Sequence, residues 1–157
     1  MTKKILINIP HYQRQELEEL VSRGVVSTIS DAVRQSLSIF IKQEKIKLWD
    51  SRLFTEYESG VLKRHSKTGV LFSTLFQKDL NSLVKEKEPQ LRRGVWPVLQ
   101  KLTQKDLTLD ITPLELKDYH LLRFTFNSQS WHILARYHQQ EIIICRISST
   151  ADQLWFE

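Results

Sequence analysis

Apolar and polar residues alternate through "KKILINIP", Lys3 to Pro10, near the start of the chain. Ile5, Ile7 and Ile9 point one way, Lys4, Leu6 and Asn8 the other, and this period of two predicts a strand with one buried face. The following "HYQRQELEELVSRG" reads as a helix through Leu17, Leu20 and Val21, stopping near Gly24. No hairpin partner for the strand lies within reach, so its backbone N–H and C=O groups are left unmatched. A second helix is predicted in "VVSTISDAVRQSLSIFIKQEK". Thr28 is its N-cap, with Asp31 three residues on where a capping box has Glu. Its apolar face is Ile29, Val33, Leu37, Phe40 and Ile41. Ile46, Trp49, Leu53 and Tyr57 carry on at spacings of three and four, as a third helix or a continuation of the second, and end by Gly60. "KRHSKTG", Lys63 to Gly69, is polar and aperiodic and is expected to hold a domain boundary.

Beyond Val70 the pattern changes. "VLF" is a short apolar strand, and Ser73 can cap a helix bearing Phe76, Leu80, Leu83 and Val84, broken at Glu88-Pro89. Leu91, Val95, Val98, Leu99 and Leu102 predict the next helix, with a kink or late start from Gly94 and Pro97. "YHLLRFTF", "WHILARY" and "EIIICRIS" are strands separated by the turns "NSQS" and "HQQ", an antiparallel meander.

Composition adds limits. At 41% hydrophobic residues with four Trp, four Tyr and seven Phe, the 157-residue chain can bury a core and is not globally disordered. The net charge of +5 favours an anionic partner. Cys145 is the single cysteine, so no internal disulfide forms and a reducing compartment is expected. No apolar run reaches membrane-spanning length and the N-terminus lacks a signal-peptide core, so the expectation is a cytoplasmic protein without a membrane.

A strand-helix-helix unit of about 45 residues is too small to bury a core alone. Two copies would answer this, their first strands pairing antiparallel and their helices intertwining around Ile5, Ile7, Ile9, Leu17, Leu37 and Phe40. The strand "KKILINI", Gly24 between the helices and "TISDAVRQSL" resemble the ribbon-helix-helix DNA-binding family of Arc, MetJ and CopG type, over residues 1–45. The resemblance implies a homodimer on a double-stranded DNA operator, with assembly beyond the dimer on DNA left open. It implies base readout in the major groove by Lys4, Leu6 and Asn8, Leu6 standing where the family usually has a polar residue. It also implies a phosphate clamp from backbone N–H groups around Thr28, Ile29 and Ser30, with Lys3 and Arg34 adding charge.

The second half, from "VLFSTLFQKDLNSL" to "DYHLLRFTFNSQSWHILARYHQQEIIICRIS", is similar to the RelE/ParE family of bacterial toxins. RelE-type members cut mRNA using basic side chains and an acid/base group. The matching residues here are thin: Lys117 alone is cationic in "TPLELKD", His132 replaces the usual arginine, and "STADQLWFE" has no Lys or Arg. Lys117, His120, Arg123, His132 and Arg136 are the catalytic candidates that the resemblance leaves. The plainer reading makes His120, Arg123, His132 and Arg136 the wet face of a sheet opposite Ile133, Ala135 and Tyr137.

The expected architecture is α+β: an N-terminal ribbon-helix-helix (β-α-α, intertwined dimer) over 1–45, an amphipathic helix and linker over 46–66, and a small RelE/ParE-like domain over 67–157 with an antiparallel meander sheet and two helices. The segment bearing Ile46, Trp49, Leu53, Phe54 and Tyr57 is expected to pack on the toxin-like domain of its own or the partner chain, as an antitoxin arm would. The leading function is a DNA-binding autorepressor of toxin–antitoxin type with a degenerate, non-catalytic toxin-like domain, with a separate toxin or antitoxin as a further partner. The enzyme alternative is a fused toxin–antitoxin, an mRNA endonuclease masked in cis. Ranked last is a metal-responsive repressor using His120, His132, His138 and Cys145, whose spacing fits no metal motif. No cofactor and no metal are expected.

Overall fold

The computed structural model describes residues 3–155, so the ends of the expected domains at 1–2 and 156–157 lie outside the described residues. It is a mixed α+β protein with four helices and a six-stranded sheet among those residues. Contacts divide it into two compact units, 1–47 and 48–157.

In the first unit, residues 3–10 form no paired strand, and helix α1, His11–Ser22, follows directly after Pro10. Helix α1 ends where the Val25 N–H bonds the Leu20 carbonyl (3.0 Å) and Gly24 takes φ +72°. That Schellman closure needs a left-handed residue, which glycine adopts without strain. Helix α2, Ile29–Ser59, is capped by Thr28, whose Oγ1 accepts the Asp31 N–H at 3.1 Å. The expected box differs in one bond: the Asp31 carboxylate takes the Ser27 hydroxyl. No Gly or Pro interrupts Ile29–Ser59, so the second and third helical patterns are one helix, which ends before Gly60 at φ +74°.

The second unit holds the C-terminal part of α2, strands β1 (Lys63–Arg64), β2 (Leu71–Phe72), β3 (Asp110–Pro113), β4 (Tyr119–Phe126), β5 (Gln129–His138) and β6 (Glu141–Ser148), and helices α3 (Thr74–Glu86) and α4 (Leu91–Thr103). A 3-10 turn, Asp152–Trp155, follows. Sheet order is β1-β2-β6-β5-β4-β3. The meander β4-β5-β6 forms as the alternation predicts, but β2 runs parallel to β6, so the sheet is mixed rather than wholly antiparallel. The polar "KRHSKTG" is a β-hairpin, not an open linker: the Gly69 N–H bonds the His65 carbonyl and the His65 N–H bonds the Val70 carbonyl, both at 2.8 Å.

Ser73 caps α3 as its position suggests, accepting the Phe76 N–H at 3.0 Å. Its hydroxyl donates to the Cys145 carbonyl (2.7 Å), tying the helix start to β6. Pro97 sits inside α4 without ending it. Gly94 is required by packing, since a Cβ there would fall 2.5 Å from the Phe126 ring. Helices α3 and α4 cover one sheet face, burying Phe76, Leu91, Val95, Leu99, Leu122, Trp131, Ile133 and Ile144.

Candidate functional site

In the first unit the implied DNA-reading residues are free to meet a ligand. Lys4, Leu6 and Asn8 are all exposed, as is Lys3. Ile5, Leu6 and Ile7 are 80%, 96% and 53% exposed, so neither side of the segment is hidden. Its backbone makes no ladder with the described residues, since every strand pairing lies at or beyond Lys63. Only Ala32 and Ile46 are buried in residues 3–47, while Leu37, Phe40 and Ile41 stand exposed along α2.

The N-terminus of α2 spends two of its first N–H groups on Thr28, those of Asp31 on Oγ1 (3.1 Å) and Ala32 on the carbonyl (3.1 Å). Those of Ile29 and Ser30 precede these donors, at the helix end whose dipole favours an anion. Arg34 is exposed and pairs with Asp31 at 2.9 Å. The Asp31 carboxyl is held below its usual range, first by the Ser27 hydroxyl, then by Thr28, with Arg34 adding to the effect. Arg34 therefore offsets the one acid of the first turn and leaves that end without a net negative charge.

In the second unit the catalytic candidates separate. Arg123 and His132 are direct cross-strand neighbours, with Asp110 opposite Arg123 on β3. Burial lowers the His132 pKa, and Arg123 lowers it further, against weaker opposing effects from Ser149 and Asp110. Both effects favour the uncharged imidazole, which speaks against His132 as a cation that holds a phosphate. His120 pairs with Ala135 and packs edge-on to Tyr137 at 4.7 Å, on the α3/α4 face with Leu122 and away from Arg123 and His132. Lys117 is exposed in the turn before β4. The five candidates form no single cationic cleft, because the alternation of β4 sends His120 to one side and Arg123 to the other.

Arg136 has a partner that the sequence did not reveal. Its Nε lies 2.6 Å from Asp50 Oδ1 with its side chain only 14% exposed, near enough for an ion pair although the N–H is not aligned as a hydrogen bond. The same Asp50 accepts the Tyr119 hydroxyl at 2.8 Å. Burial, more than any neighbouring charge, pushes the Tyr119 pKa far up. The expected wet face is therefore dry at its centre: Leu134, Ile143, Tyr119 and Leu154 are buried on it, as is Leu53 of α2. Trp49 lies over the Arg146 guanidinium at 5.2 Å, and Phe54 and Tyr57 meet the His138 ring edge-on at 5.7 and 4.8 Å. The expectation that residues around Trp49 pack on the C-terminal domain holds for its own chain. The only advance signal was the Trp49/Leu53/Tyr57 stripe, which could not say that Asp50 beside it finds Arg136.

Among the described residues no three His, Cys, Asp or Glu side chains gather as a metal site, and His120, His132, His138 and Cys145 are not brought together. Among the same residues no helix is long and apolar enough to cross a membrane. Comparison of the chain with family models, with curated proteins and with solved structures finds no match.

Proposed function

We propose that the protein is a dimeric, sequence-specific DNA-binding regulator of ribbon-helix-helix type, an autorepressor acting in the cytoplasm on the operator of its own gene. Two copies pair residues 3–9 as an antiparallel ribbon, bury Ile5, Ile7, Leu37 and Phe40 between them, and present Lys4, Leu6 and Asn8 to the major groove. The observation that carries this reading is the unpaired, two-sided exposure of residues 3–9 beside a helix pair with almost no core of its own. An apolar strand and helix face left in water are costly, and a second copy removes both costs. Residues 67–157 then act as a RelE/ParE-like domain without catalysis, serving partner contacts.

The test is a gel-shift titration on the DNA upstream of the protein's own gene. Lys4→Ala with Asn8→Ala should weaken binding about a hundredfold, from base contacts worth ~1–3 kcal/mol each, with the dimer intact by sedimentation. Unchanged affinity refutes the assignment. Affinity should also fall steeply with salt as phosphate contacts release counterions.

One contact favours a second reading, a fused toxin–antitoxin whose endonuclease is masked in cis: Asp50 neutralises Arg136, one of the implied catalytic residues. Under that reading Asp50→Ala would make the protein toxic on expression, which the regulator reading does not expect.

A further inference from the structure

The hairpin β1–β2 and helices α3 and α4 enclose a cleft of ≈450 Å³ whose lining holds no carboxylate. Its four basic residues are Lys63, Arg64, His65 and Arg92. Arg64 is occupied by Glu141 (2.6 Å) and by the Gly69 carbonyl (2.9 Å). Arg92 donates to the uncharged side-chain amide oxygen of Asn81 at 2.5 Å. The Lys63 side chain is exposed and makes no hydrogen bond or ion pair among the described residues.

Against these cations stands a pile of rings. His65 stacks on Trp96 at 5.0 Å, Trp96 on Phe72 at 6.0 Å, and Phe72 meets Phe76 at 5.0 Å. His65 and Trp96 are only half-buried, so part of each ring faces the cleft. The His65 ring is also held in place: its Nδ1 lies 2.7 Å from the Thr68 hydroxyl oxygen and 3.3 Å from the Thr68 backbone nitrogen. The cleft therefore offers an aromatic platform and two available cations together.

We propose that this cleft binds a nucleoside phosphate, its base against His65 and Trp96 and its phosphates on Lys63 and Arg92. The chemistry is that of nucleotide recognition generally, in which stacking accepts any base and cations hold the phosphate. A small ligand is favoured over a strand because the volume falls in the range of small-molecule pockets and one ring pile serves one base, whereas a strand needs successive platforms. The inference does not depend on the regulatory reading, since every lining residue belongs to the second unit.

The test is calorimetric titration of the full chain with ADP, adenosine and inorganic phosphate separately. ADP should bind more tightly than either of the others. Lys63→Ala, at an exposed position that carries no folding risk, should weaken ADP about tenfold, the worth of one charge-assisted contact, and leave adenosine unchanged. Trp96→Leu should weaken both. Absence of ADP binding, or equal ADP affinity in the wild type and both variants, overturns the site. So does a single-stranded oligoadenylate that binds more tightly than ADP and loses that advantage in Trp96→Leu, since the occupant would then be a strand.

Discussion

Residues 48–157 close on themselves, with one cluster running from Val70 through Trp131 to Ile147 and the half-buried Asp79–Arg146 and Asp50–Arg136 pairs around it. Residues 3–47 are built from equally apolar material, yet Ile5, Ile7, Leu37, Phe40 and Ile41 remain in water and α1 buries nothing. The difference is one of completeness rather than composition. A sheet with two helices encloses its apolar face within one chain, whereas the extended segment with two helices leaves much of its apolar surface exposed; under the dimer proposal its stability would come from mass action with a second copy.

The comparison can be broken most sharply in the core. Trp131 is fully buried, and Trp131→Ala should cost about 3–5 kcal/mol. The loss should appear as a lower melting temperature of the second unit, unchanged by protein concentration. A concentration-dependent loss would mean that this unit also borrows its core.

A smaller effect is expected from Phe40→Ala. Phe40 is 59% exposed, and a change on a free surface stays within about 0.5 kcal/mol. If a second copy covers it, the cost rises to about 2 kcal/mol and the melting temperature of both proteins falls as they are diluted. Melting curves at several concentrations decide, and no dilution effect in either protein would remove the dimer.

The smallest effect is the acid response of the α2 start. The lowered pKa of Asp31 means that its contribution is complete above the ordinary carboxylate range and is lost as pH falls through the lowered folded value. Because the group is exposed, the change should be slight, and Asp31→Asn should flatten it in a pH series followed by helical circular dichroism.

Regular period was legible in the sequence. The strands β4, β5 and β6, the Ser73 cap, both C-terminal helices and the stop before Gly60 follow from alternation, capping chemistry and glycine. Long-range pairing was not. Nothing local in "DITP" announces β3, whose four residues are a strand because Ile111 and its neighbours pair with β4. The hairpin in "KRHSKTG" was hidden by its polarity, and its value lies in His65 reaching Trp96 thirty-one positions on. Nothing in the local pattern sets Asp50 and Asp79 apart from other acids on helices. Only the folded chain places them on Arg136 and Arg146, because sequence pattern records the face a residue takes and not what comes to meet it.

Asp79 also has a consequence for how the protein avoids growing. Beyond the short β2, the edge of β6 is closed: Asp79 accepts the Ile147 N–H at 3.3 Å while Ser73 holds the Cys145 carbonyl. The outer strands are blunt as well, β1 with two residues and β3 ending in Pro113, which has no N–H to offer. Among the described residues the edges of the six-stranded sheet are thus short or capped, and residues 3–10 carry a longer run of backbone outside any strand ladder, on which crowded copies would meet first.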